Sequence, residues 1–190
     1  MLHPLTRRSH QDGFTLVEMV IVGALVIVGA AVAIPVTLQM VASAKGDSAL
    51  VMTSTFLESA RNRAVSERRN IELTFVAPNR IQLVRIEVPS NARTTLAEMM
   101  LEGNEEFVRI DGHPDTPDAF GGIGAINFSG AAPVMFTSDG SLIDSAGDVT
   151  NGTVFIARPG APDTARAVTL SGVTGMLRSW RWGGSTWLPL

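Results

Sequence analysis

The chemistry this chain can do is concentrated near its start. Glu18 stands among Leu16, Val17, Met19 and Val20 at the head of an apolar run, and residues 19–36 carry no charge. About 18 uncharged apolar residues are enough for a helix to cross a membrane. A carboxylate inside such a span costs about 2–3 kcal/mol and is usually paired. No lysine or arginine follows within two helical turns. The nearest cation would be a new α-amino group on Phe14, made by cutting the chain after Gly13. An amine from a neighbouring chain would serve Glu18 equally well, and a buried pair of that kind fixes axial register. A secretory signal has a shorter apolar core followed by its cleavage site. Here the natural cut precedes the run, so the run stays in the product.

These residues carry a family resemblance. Gly13-Phe14-Thr15-Leu16-Val17-Glu18 followed by an apolar helix resembles the N-terminal signal of type IV pilins and type II secretion pseudopilins. The resemblance implies that a membrane-embedded prepilin peptidase cuts after Gly13 and methylates the new amino group of Phe14. Glu18 would then be the fifth residue of the product, where the family keeps its filament-assembly glutamate. Pro35 would be the twenty-second, where these helices commonly carry a kinking proline. The implied partners are the peptidase, other pilin or pseudopilin subunits and inner-membrane lipids. No cofactor is implied. The leader is rather long for a type IV pilin, which favours pseudopilin-like systems.

The elements that must position these groups follow from composition and pattern. The length fits one membrane helix and one globular domain. There is no cysteine, which removes disulfides, thiolate nucleophiles and cysteine-based metal sites. A net charge of −3 is not the basic footprint of a general nucleic-acid binder. Arg7 and Arg8 before the span predict a cytoplasmic N-terminus, with the rest of the chain in the periplasm. The divisions expected are a leader over 1–13, a transmembrane and filament-core half-helix over 14–44, and a periplasmic head over 45–190. Gly23, Gly29, Ala30, Ala31 and Ala33 give the first half of the helix small patches for close helix approach. Pro35 should bend or loosen it.

The helix is expected to continue to about Arg69. Leu50, Thr53, Phe56, Leu57, Ala60, Ala64 and Val65 mark one face, while Arg61, Arg63, Arg68 and Arg69 fall on a solvated one. Lys45-Gly46-Asp47 interrupts the pattern as a flexible joint. Ile71, Leu73 and Phe75 alternate with polar residues, and with Ile81, Leu83, Ile86 and Val88 they predict a hairpin. Residues 96–101 read as a strand or a helical turn, 107–110 as a short strand, and 111–118 as a loop. Further strands are expected over 125–128, 134–137, 141–143, 153–157, 165–170 and 176–182. The fold class is α+β and pilin-like, a long N-terminal helix packed on an antiparallel sheet or small β-sandwich. The passage from Phe56 to Phe75 and the later strands of the head also resemble the GspH/FimT group of minor pseudopilins and minor pilins. Residues 89–133 lie outside that resemblance.

Other chemistry is thinly supported. His113 is the only histidine beyond the leader, and no second histidine or cysteine completes a zinc set. Asp111, Asp115 and Asp118, or Asp139, Asp144 and Asp148, offer oxygen ligands suited to calcium but lack the spacing of a calcium loop. They read as solvated loop carboxylates, so no metal and no catalysis is expected. Some FimT-type pilins bind DNA through a basic C-terminal segment. Arg178, Trp180 and Arg181 are the candidate DNA contacts, although Met176 stands where that resemblance implies an arginine. The function expected is that of a minor pseudopilin, an assembly subunit of a type II secretion pseudopilus or type IV pilus. A DNA-binding minor pilin of natural transformation is the alternative.

Overall fold

The computed structural model describes residues 14–190. The leader expected over 1–13, Gly13 included, lies outside the described residues. The chain forms two compact units, the first ending at Met40 and the second running Val41–Leu190.

Helix α1 spans Leu16–Glu67. Thr15 starts it, its hydroxyl accepting the Glu18 N–H at 3.2 Å. That is N-capping, and a glutamate three residues after a threonine cap has capping-box spacing. Residues 14–41 are exposed throughout, and they include a stretch long and apolar enough to cross a membrane. Pro35 lies inside the helix and offers no N–H to the carbonyl four residues back. Close by, the Thr37 hydroxyl donates to the Ala33 carbonyl at 2.9 Å.

In the second unit, residues 41–67 of α1 bury one face: Gly46, Ala49, Leu50, Thr53, Leu57, Ala60 and Ala64. Spacings of three and four put these on one stripe. Phe56 is half-buried and Val65 is exposed, so the stripe is narrower than its sequence implied. The joint expected at Lys45-Gly46-Asp47 is helical. Gly46 serves close packing instead, since a Cβ there would lie 2.9 Å from the Thr164 carbonyl. The helix stops at Glu67, two residues before its expected end. Arg68 takes a left-handed φ of 51°, and the Arg69 N–H donates to the Ala64 carbonyl at 3.2 Å. This is the long bond of a Schellman-type end, with arginine where glycine is usual.

Ten strands build two five-stranded sheets. The first runs β3-β2-β1-β5-β6, from Arg93–Met100, Arg80–Ile86, Ile71–Val76, Val134–Phe136 and Leu142–Ile143. The second runs β10-β9-β8-β7-β4, from Trp187–Pro189, Leu177–Trp182, Ala161–Leu170, Gly152–Arg158 and Ile126–Phe128. Every pairing is antiparallel. The helix stripe shares one core with Ile71, Leu73, Ile81 and Phe136 of the first sheet and Val154, Ile156, Val168 and Leu170 of the second. The long-helix, antiparallel α+β fold is therefore as expected.

The second sheet is covered on its other face too. Phe155, Ala157, Ala165, Ala167, Trp180 and Trp187 form a second apolar cluster, closed by Val108 and Ile110. Those two residues belong to a strap, residues 104–118, that crosses the sheet without joining it as a strand. The strand expected over 107–110 is absent. Its apolar side chains are used for covering, and one isolated bridge, Glu106 to Ala157, ties the strap to β7. Of residues 96–101, all but Leu101 belong to strand β3, which begins earlier, at Arg93, and β10 was not anticipated.

Candidate functional site

The candidate assembly element is the exposed apolar part of α1. Phe14 precedes the helix and is 75% exposed. Glu18 sits in the first turn, where a carboxylate is favoured by the helix dipole. Its side chain is exposed, with Leu16, Val17 and Val20 exposed around it. Glu18 and Pro35 therefore lie on α1, with Phe14 two residues before its start. Gly13, the residue before the proposed cut, is outside the described residues.

The candidate DNA contacts are not gathered on one surface. Strand residues alternate between faces, so Arg178 and Arg181, three apart on β9, point to opposite sides. Arg181 opposes Arg166 on the helix side of the sheet. On the other side Trp180 is buried, and its indole N–H donates to the Thr169 hydroxyl at 3.0 Å. That hydroxyl donates to Asp118 Oδ2 at 2.5 Å, and Arg178 pairs with Asp118 Oδ1 at 2.7 Å. The chain Trp180–Thr169–Asp118–Arg178 pins the end of the strap to the second sheet. The period of two was the available signal for this separation.

The loop aspartates are likewise bound by their own backbone. Asp144 accepts N–H bonds from Ala131, Ala146 and Asp148, and these hold its carboxyl below the usual range. The Thr137 and Ser141 hydroxyls and the Ser141 N–H bring Asp139 down to about 2. Asp115 accepts from the N–H groups of Thr116 and Gly121. Among the described residues no group of three histidines or acids is placed to hold a metal. His113 is buried and stacks on Trp182 with ring centroids 4.1 Å apart. Its pKa is lowered, first by burial and then by Arg109. A cavity of about 640 Å³ opens beside β1 and β4, lined by Leu73, Phe75, Ile126, Phe128 and Val134 together with the Glu72–Arg93 ion pair.

Two arginines act in ways their sequence context did not announce. Arg166, in a β-strand flanked by alanines, is fully buried. Its Nε donates to Asp47 of α1 at 2.7 Å, and a terminal nitrogen donates to the carbonyl and hydroxyl of Ser43 at 3.1 and 3.0 Å. Arg61, expected on the solvated face, donates instead to the carbonyls of Gly140 and Thr174 at 3.1 and 3.0 Å. It joins a turn of each sheet to the helix.

No family model matches the chain, and no curated protein matches it. Among solved structures, the minor pseudopilin EpsH from the type 2 secretion system of Vibrio cholerae is similar over 73% of this chain and 98% of its own, at 12% identity and a TM-score of 0.50. The type IV minor pilin FimU of Pseudomonas aeruginosa matches over 70% of this chain and 90% of its own, at 17% identity and a TM-score of 0.47. The likeness to EpsH is one of fold: the chain has the minor pseudopilin fold.

Proposed function

We propose that this chain is a minor pseudopilin or minor type IV pilin, a structural subunit rather than an enzyme. It is made as a single-pass inner-membrane precursor, with the N-terminus in the cytoplasm and the head in the periplasm. Prepilin peptidase cuts between Gly13 and Phe14, and the Phe14 amine is methylated. The product then enters a helical filament in which Glu18 bonds a neighbour's N-terminal amine and Pro35 loosens the helix locally. One observation carries this reading. Residues 16–41 form the apolar part of α1 and are exposed among the described residues, and a head of minor pseudopilin fold follows. An uncovered apolar surface of that length needs lipid or other helices. The DNA-receptor alternative draws less support, because Arg178 and Arg181 face opposite ways and Arg178 is already paired.

Intact mass of the protein purified from membranes of cells carrying a prepilin peptidase tests the proposal. The expected mass is that of residues 14–190 plus one methyl group. A mass matching residues 1–190, unchanged when the peptidase is overproduced, rejects it.

A further inference from the structure

Of the five buried side-chain polar atoms without a partner among the described residues, three belong to the strap: Glu105 Oε2, Arg109 Nε and His113 Nδ1. Such atoms are rare in folded proteins and mark strain or function. The middle of the strap also makes few polar bonds to the second sheet. Its ends are fixed by the Glu106 bridge to Ala157 and by Asp118 on Arg178 and Thr169. Between them, the Trp187 indole N–H donates to the Pro114 carbonyl at 3.0 Å, and the other contacts are apolar or aromatic: Val108 and Ile110 on the sheet, Arg109 over the Phe155 ring at 5.9 Å, and the His113 ring. That ring lies flat on Trp182 and edge-on to Trp187, with centroids 6.1 Å apart in the second pair.

We propose that residues 109–114 are a proton-operated latch over the Trp182 and Trp187 face, held shut by neutral His113 and released when the ring takes up a proton. A doubly protonated ring has a hydrogen on both nitrogens. Nδ1 is buried with no acceptor in reach, so its N–H would be an unpaired cationic donor. The charged groups facing the ring decide the balance. Arg109, on the strap, donates to the carbonyl of His113 itself and repels the imidazolium. Asp163, on β8, attracts it from an exposed position, and the Trp182 face favours a cation as well. Trp187 of β10 adds no charge. Burial and Arg109 outweigh Asp163, so the shut form binds the proton more weakly than the open one. Opening is then linked to proton uptake. Its equilibrium should rise about tenfold for each pH unit below the ordinary histidine value, until the shut form itself is protonated. This inference goes beyond the filament reading and does not depend on it.

The test is amide hydrogen exchange on the full chain in detergent micelles between pH 7.5 and 5, corrected for the intrinsic pH dependence of exchange. The expected result is faster exchange in peptides from residues 104–118 as the pH falls below 6.5, with residues 152–158 of β7 unchanged. In His113→Phe, which keeps a flat ring, and in His113→Gln, the dependence should vanish. Where only one of these variants folds, that variant decides. Flat exchange in the wild-type strap, or the same acid response in the variants, overturns the latch.

Discussion

Arg68 shows how much a single residue can hold back. It occupies the left-handed position that ends α1, at φ 51°, and its side chain is exposed. A residue with a Cβ is about 1–2 kcal/mol less comfortable there than glycine. Glycine loses part of that advantage through the greater freedom of its unfolded chain. Arg68→Gly should therefore stabilise the protein by roughly 0.5–1 kcal/mol. Chemical denaturation in micelles, followed by tryptophan emission, would read this as a higher midpoint with an unchanged slope. Glu67, Arg68 and Arg69 all look like helix residues in the sequence, so the turning point was not legible there. It is set by the chain having to enter β1 at Ile71.

At the scale of elements, α1 and the second sheet are joined through a charge that is not symmetric. Arg166 is fully buried, whereas the Asp47 side chain is 42% exposed. Removing the exposed partner strands a buried cation, which typically costs about 3–5 kcal/mol. Removing the buried partner leaves a carboxylate that water can reach. Asp47→Ala should thus lower stability more than Arg166→Met, and equal losses in paired denaturation curves would contradict that order. The helix stripe, the β1–β2 hairpin and most later strands were legible because period three-to-four and period two are written in short windows. The Arg166 bond was not, because Asp47 is 119 residues away and an arginine between alanines on a strand reads as outward-facing. The strap was misread for a related reason. Phe107, Val108 and Ile110 have strand composition, but Phe107 enters the main core beside Phe75 while Val108 and Ile110 cover the outer face of the second sheet. Strand β10 is three residues long and contains Pro189, too little pattern to signal.

For the whole molecule, the division between an exposed apolar helix and a self-sufficient head core separates assembly from folding. Glu18 lies in the exposed first turn of α1, so Glu18→Ala should leave head stability and circular dichroism unchanged. On the proposed reading it should sharply reduce recovery in filaments, assayed by shearing and immunoblotting. Loss of head stability in that variant would place the glutamate's role in folding instead. Of the candidate assembly element, the apolar first half of α1 was legible, because its composition is written in adjacent residues.

The reach of Arg166 also sets a schedule. Residues 43–47 wait for a partner made 119 residues later. At about 5–20 residues per second, that is roughly 6–24 s of synthesis. Throughout this interval Ala49, Leu50, Leu57, Ala60 and Ala64 have no second sheet to cover them. A nascent chain stalled before β8 has its membrane segment already made and its head still open. An open head of this kind exposes apolar surface to proteases and chaperones, which makes the time needed to reach Leu170 a determinant of yield.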